Sequence, residues 1–236
     1  DLIGGSGDDV FVKTFHSASV WILRRYGEQV GIGKNFSIYD SADQESIIKA
    51  ILKDMNLDAQ KIQPSRIAAK FGEIKAELLD GQDPGLLLPK DYRFDYAAMY
   101  KEYNDRLRAA NAVDFSDLLI YTVKLLRDCA EVREALQRRW THFMVDEYQD
   151  TNHSQYLIAK YLSSGTGNLC VVGDDDQSIY SWRGADIRNI LDFERDYPNA
   201  KIVKLEVNYR STSPILDAAH SVVSRNAERR DKKLVS

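Results

Sequence analysis

Apolar residues recur along this chain in two rhythms. Between Ser17 and Arg139 the spacing is helical. Ile47, Ile48, Ile51, Leu52 and Met55 line one face at steps of three and four, as do Tyr96, Met99, Tyr100, Tyr103 and Leu107, and again Leu118, Leu119, Val123 and Leu126. Ser41 and Gln44 stand ahead of the first of these runs in capping-box spacing, and the glycines and prolines between Asp80 and Pro89 predict a loop separating two helices. Elsewhere the runs are short and β-branched or aromatic: Val10–Phe15, His142–Val145, Leu169–Val172 and Ile202–Leu205 predict strands, each leading into polar residues. The pattern is that of an α/β fold in which a parallel sheet is interrupted by a large all-helical insertion. It contains no internal repeat and no low-complexity segment.

Composition adds little to the fold but narrows the setting. With 44% hydrophobic residues the 236-residue chain can bury a sizeable core. No stretch of eighteen apolar residues exists and the opening Asp1-Leu2-Ile3-Gly4-Gly5 is not a signal peptide, so the expectation is a cytoplasmic protein without a membrane role. Cys129 and Cys170 are expected to be buried free thiols in a reducing compartment. The net charge of −4 is unevenly spread: residues 201–236 hold eight basic against four acidic side chains, a local +4, which leaves −8 for the rest. Arg229, Arg230, Lys232 and Lys233 are expected to belong to a solvated terminal helix and tail.

The chemistry gathers at two strand ends about twenty residues apart. VDEYQDTN at 145–152 and VVGDDDQSIYSWRGA at 171–185 each deliver carboxylates to the C-terminal edge of a strand, where open parallel sheets bind ligands. Asp146 and Glu147 are adjacent and are therefore aimed differently. One suits a Mg²⁺ ion, often held through its water shell, and the other suits polarisation of an attacking water. Gln177 is an uncharged donor and acceptor able to touch a terminal phosphate without adding negative charge. Asp174, Asp175 and Asp176 read as solvated turn acids and are assigned no metal. Tyr180, Trp182 and Arg183 alternate with small residues in the manner of rings that stack single-stranded bases, at roughly 1 to 3 kcal/mol per base. Thr14 and His16 offer small donors for backbone phosphates. His142, His153 and His220 lack partners at zinc spacing.

These runs, with TFHS at 14–17, VDFSDLL at 113–119 and NYRS at 208–211, together resemble the DExx-box helicases of superfamily 1, the UvrD/PcrA/Rep group, over nearly the whole chain. The resemblance implies a RecA-like fold in four parts: 1–15 as the end of a first segment of domain 1A, 16–140 as the helical insertion 1B, 141–206 as the remainder of 1A, and 207–236 as the start of domain 2A. It implies Mg²⁺ and ATP as cofactors, and single-stranded DNA and duplex junctions as partners. Movement is implied to be 3′ to 5′, in a setting of DNA repair or replication restart. Asp146 then takes the metal role, Glu147 that of general base, Gln177 that of γ-phosphate contact and Arg210 that of a finger reaching bound ATP from the second motor domain.

The family's phosphate-binding loop is not found in these residues. Gly31-Ile32-Gly33-Lys34-Asn35 has Glu28 at the first glycine position and Asn35 at the hydroxyl position, so it reads as a turn. The resemblance places that loop before Asp1, which makes the expected object a segment of a longer motor, inactive as an ATPase alone. Two other classes stand beside this one. The chain is the helicase part of a helicase–nuclease, or it is a non-catalytic DNA-binding module. Helix faces after residue 207, with Ile215, Leu216, Ala219 and Val222, are expected to be exposed.

Overall fold

Thr14 caps the first helix. Its side-chain oxygen accepts the Ser17 N–H at 3.2 Å, and α1 runs Phe15–Tyr26. Residues 10–14 form no strand, against the sequence expectation. Phe11 instead stacks on Trp140 at 4.8 Å and meets Trp21 edge-on at 5.3 Å, so aromatic packing holds it in place of a strand ladder. The computed structural model describes residues 10–57, 62–77, 95–181, 184–226 and 232–236. The chain divides into two units, Asp1–Thr141 with Leu157–Asn168, and His142–Tyr156 with Leu169–Ser236. The architecture is mixed α/β, with parallel strand pairs and a large helical portion, as expected of a RecA-like domain carrying an insertion.

The first unit is built from the helical faces legible in the sequence. Helices α2 (Ser41–Asp54), α3 (Pro64–Glu77) and α4 (Tyr96–Ala109) bury Ile48, Ile51 and Leu52 against Ile67, Phe71 and Ile74 and against Met99, Tyr103 and Leu107. Complete burial of each such side chain contributes about 1.5 to 3 kcal/mol, and this drives the three helices together. The start of α2 lies one residue earlier than the sequence suggests. Asp40 accepts the Ala42 and Asp43 N–H groups, and Asp43 returns a bond to the Asp40 N–H, because a carboxylate accepts more strongly than the Ser41 hydroxyl. The expected loop at Asp80–Pro89 lies outside the described residues.

This stretch is not purely helical. Strand β1 (Ser37–Tyr39) pairs in parallel with β2 (Ala112–Asp114), and β2 leads directly into α5 (Phe115–Asp128), which packs on α1. α6 (Ala130–Arg139) follows, burying Val132 and Leu136. The Gly31–Asn35 turn is a turn, with Gly31 at φ 80° and Lys34 paired to Glu28 at 3.4 Å.

An ionic cluster sits inside this unit. Lys75 of α3 lies 2.7 Å from Asp114 Oδ2 and 2.8 Å from Asp117 Oδ1, and the Tyr103 hydroxyl donates to Asp114 Oδ2 at 2.9 Å. Asp114 and Asp117 also form the capping box of α5. Burial disfavours the Lys75 ammonium, but the Asp117 and Asp114 carboxylates outweigh it and hold its pKa above the ordinary lysine value. The cluster therefore ties α3, α4, β2 and α5 together as a charged unit.

The second unit contains β3 (Phe143–Val145) and β4 (Leu169–Val171), a parallel pair in which Phe143, Met144 and Val145 face Leu169, Cys170 and Val171. Tyr148 is fully buried, with Phe193 edge-on at 5.7 Å. Short helices α8 (Arg188–Leu191) and α9 (Phe193–Asp196) follow, while α7 (His153–Ser163) starts in this unit and ends in the other. Three expectations are corrected here. Residues 202–205 form no strand: Val203 and Leu205 are 66% and 78% exposed and take no ladder partner, whereas Val207 bridges Val235. The cysteines are free, but Cys170 is exposed and Cys129 half-buried, Cys170 standing opposite the exposed Met144 on an uncovered strand pair. In α10 (Ser213–Val223) Ile215, Ala219 and Val222 are exposed as expected, but Leu216 is buried.

Candidate active site

The end of β3 carries the first half of the site. After Val145 the chain continues the ladder for one more step, with Val172 N–H donating to Val145 O at 2.8 Å and Tyr148 N–H to Val172 O at 2.9 Å. The two residues caught between these bonds are Asp146 and Glu147, and both are exposed. Glu147 is forced into the left-handed region at φ 50°, ψ 45°, a conformation that costs a non-glycine residue about 1 to 3 kcal/mol. It is held there from both sides, by Asp146 Oδ1 accepting its N–H at 3.0 Å and by its own carbonyl accepting the Asp150 N–H at 2.9 Å. Neighbouring carboxylates on one strand end thus leave in different directions.

Gln149 is the residue that sequence reasoning passed over. It is fully buried, its amide nitrogen donates to Glu147 Oε2 at 2.8 Å, and its amide oxygen accepts the Asp174 N–H at 3.0 Å. One side chain thereby fixes the candidate base and ties the two strand ends together. Gly173 makes room for it: a Cβ there would lie 2.6 Å from Gln149 Oε1 and 2.8 Å from Ile190 Cδ1. Thr151 anchors the same turn, its hydroxyl donating to Tyr148 O at 2.6 Å and its carbonyl accepting from Asn189 Nδ2 at 2.9 Å.

Beyond β4, Asp174 organises a short 3₁₀ turn, Asp175–Gln177. Its carboxylate accepts the Asp176 N–H at 3.0 Å and the Gln177 side-chain amide at 2.8 Å. Gln177 itself is exposed. Burial pushes the Asp174 carboxyl up, but hydrogen bonds from Lys232 and Gln177 more than offset this, so its pKa lies below the usual carboxylate range. The three acids are not the solvated turn that their sequence suggests. Asp175 is buried, and Lys232 binds both Asp174 and Asp175, the latter at 2.8 Å. Lys232 is correspondingly not a solvated tail residue, its side chain being 19% exposed. No periodic signal in the sequence links charges so far apart.

The remaining candidate residues lie elsewhere. Tyr180 is 38% exposed, and Tyr180 O accepts the Ala185 N–H at 3.3 Å, closing the loop that contains Gly184 at φ 85°. Trp182 and Arg183 lie outside the described residues. Arg210 is exposed in the Asn208–Ser211 turn, where Asn208 Oδ1 accepts the Arg210 and Ser211 N–H groups at 2.9 and 2.8 Å. An open hollow of about 450 Å³ is lined by this turn and the start of α10, and does not include the carboxylates after β3. In the other unit Thr14 caps α1, and His16 is half-buried with its ring edge-on to Phe115 at 6.0 Å. Burial lowers the His16 pKa, so it presents a neutral imidazole at pH 7.

The donor set suits a hard, hydrated cation. Asp146 keeps one carboxylate oxygen beyond that used by the Glu147 N–H, and Asp150 Oδ1 is buried without a hydrogen-bond donor. Burial, and then the charge of Glu147, raise the Asp150 pKa. Among the described residues no three His, Cys, Asp or Glu side chains converge to cage a metal. One carboxylate supplemented by phosphate oxygens and water is the usual way in which Mg²⁺ is held.

Comparison with known proteins agrees with the motifs. The UvrD/REP helicase N-terminal domain family matches residues 2–198. ATP-dependent DNA helicase PcrA of Bacillus subtilis is 47% identical over 233 residues, and proteins of the same name from Staphylococcus aureus and Staphylococcus epidermidis are 45% and 44% identical over the same length. Each alignment covers 99% of this chain and 32% of the relative, so the chain spans about a third of the length of the relatives it matches. Among the described residues no helix is long and apolar enough to cross a membrane.

Proposed function

Because the chain belongs to the UvrD/REP helicase family, we propose that it is part of the motor of an ATP-dependent DNA helicase that moves 3′ to 5′ on single-stranded DNA, in the cytoplasm, in repair or replication restart. The observation that carries this reading is the joined pair of strand ends. Strained Glu147 is held by Gln149, and the same Gln149 holds the loop that presents Gln177. In this reading residues 1–15 and 141–206 belong to motor domain 1A, 16–140 to the inserted 1B, and 207–236 to the start of 2A.

Asp146 would hold Mg²⁺, which when bound would supply positive charge against the negative charge developing in phosphoryl transfer. Glu147 takes a proton from the attacking water, Gln177 contacts the γ-phosphate, and Arg210 stabilises the transferring phosphoryl group from the second motor domain. Tyr180, Trp182 and Arg183 would stack on bases of single-stranded DNA, and Thr14 and His16 would contact backbone phosphates.

The test uses a full-length protein that includes this chain together with a phosphate-binding loop. Glu147→Gln should retain Mg²⁺-ATP binding and lose about 10² to 10⁴ in hydrolysis rate, the usual contribution of a positioned base. Hydrolysis at the wild-type rate in this variant removes Glu147 from the mechanism. The 236 residues alone contain no Gly-Lys-Ser/Thr turn and should show no DNA-stimulated ATPase.

A further inference from the structure

Lys232 is a positively charged residue in an unexpected place. It lies 58 and 57 residues from the Asp174 and Asp175 carboxylates that it binds, and Asp176 Oδ2 stands 3.6 Å from its ammonium. Its delivery is not accidental to a loose tail. Val235 N–H donates to Glu206 O at 2.9 Å, Val235 O accepts the Asn208 N–H at 2.7 Å, and the Ser236 and Ser213 hydroxyls are 2.8 Å apart.

The carboxylate it grips is the hub of the candidate site. Asp174 Oδ1 takes the Asp176 N–H as well as the Lys232 ammonium, and Asp174 Oδ2 takes the Gln177 side chain at 2.8 Å. The Asp174 N–H is bonded to Gln149, which in turn bonds Glu147. Three consecutive acids on a tight turn repel one another, and the Lys232 ammonium offsets that repulsion at Asp174, whose other carboxylate oxygen accepts the Gln177 amide. Burial disfavours the Lys232 ammonium, yet Asp174 and Asp175 raise its pKa, so it remains charged at neutral pH.

We propose that Lys232 is a positioning residue of the nucleotide site, its ammonium fixing the Asp174 carboxylate so that the Gln177 amide is held ready for a terminal phosphate. The proposal rests on the reading of Gln177 as the γ-phosphate contact. Lys232 acts through Asp174.

Hydrogen–deuterium exchange on this chain tests the positioning without any nucleotide. In Lys232→Ala the amides of Asp176 and Gln177 should exchange about tenfold faster, in Lys232→Arg within about twofold of wild type, and amides of α2 and α5 should not change. Unchanged exchange at Asp176 and Gln177 in Lys232→Ala overturns the proposal. So does an even rise throughout the second unit, which marks general loosening, or a failure of arginine to restore protection. In a full-length protein carrying this chain, Lys232→Ala should lower DNA-stimulated kcat about tenfold with KM for ATP within about twofold, and should add less than about twofold to Gln177→Ala. Full multiplication of the two losses would show that Lys232 works by another route. Gln177→Ala with wild-type turnover removes the γ-phosphate reading, and with it any catalytic part for Lys232, whereas the exchange result judges the positioning alone.

Discussion

Each unit of this protein holds a lysine against clustered aspartates, two around Lys75 and three around Lys232, and the two clusters differ in almost everything except chemistry. Lys75, Asp114 and Asp117 have side chains only 4% to 8% exposed, and their partners are core helices. Lys232 and Asp174 are partly exposed although Asp175 is buried, and these carboxylates stand on a loop whose other hydrogen bonds lead to Gln177 and, through Gln149, to Glu147. Burial decides what such a cluster does. A dry ion pair that loses one partner strands a charge and unfolds its surroundings, whereas a partly wet one lets water replace the missing partner and leaves only geometry to be lost. The first cluster is therefore a fold determinant and the second a device for orientation.

The largest effect that would break this contrast is expected at Lys75. Lys75→Met should cost about 3 to 5 kcal/mol of stability in chemical denaturation, because Asp114 and Asp117 are left buried without a cation. A loss under about 1 kcal/mol would place this cluster with the other. Gly173→Ala comes next, at about 1 to 3 kcal/mol, since the new methyl meets Gln149 Oε1, Ile190 Cδ1 and the Tyr148 backbone nitrogen. Its melting temperature should drop even though no charge is altered. Lys232→Met should cost less than Lys75→Met in the same assay, about 1 to 3 kcal/mol, because Asp175 is buried while Asp174 and Lys232 keep some contact with water.

The pH dependence sharpens the contrast with the smallest signal. The pKa of Lys75 is raised on folding, so its contribution is complete below the unfolded value near 10.4 and is lost only as pH rises through the folded value. Asp174 is depressed on folding, so its contribution is complete above the unfolded value near 3.9 and is lost as pH falls through the folded one. Burial raises the Asp117 pKa and loss of the Lys75 charge raises it further, so the stability difference between wild type and Lys75→Met should shrink as pH falls and the variant relieves its buried charge by protonation, measured by denaturation at each pH.

What could be seen in the sequence was whatever repeats locally. The faces of α2, α4 and α5 announce themselves by three- and four-residue steps, and the β3 and β4 runs by apolar residues ending in acids. Interactions set by distant residues left no such mark. Ser37–Tyr39 and Ala112–Asp114 are each three residues long and pair across the whole of α2, α3 and α4, so neither shows an alternation to detect. Residues 202–205 have strand composition but no partner strand among the described residues, and composition alone does not supply one. At the candidate site Asp146, Glu147 and Gln177 were legible because acids and amides after strands are chemically conspicuous. Gln149 was not, because a buried amide bridging two loops is indistinguishable in sequence from a polar surface residue, and Lys232 looked like any other base in a basic tail.

The most direct test of the account compares DNA-stimulated ATP turnover by Lys75→Met and Lys232→Met in the full-length protein, at a temperature where both are folded. Lys75→Met should keep kcat within about twofold of wild type despite its lower stability, and Lys232→Met should lose about tenfold while losing less stability than Lys75→Met. Equal losses of turnover in the two variants, or a loss in Lys75→Met alone, would contradict the division of the two clusters into one that holds the fold and one that aims the site.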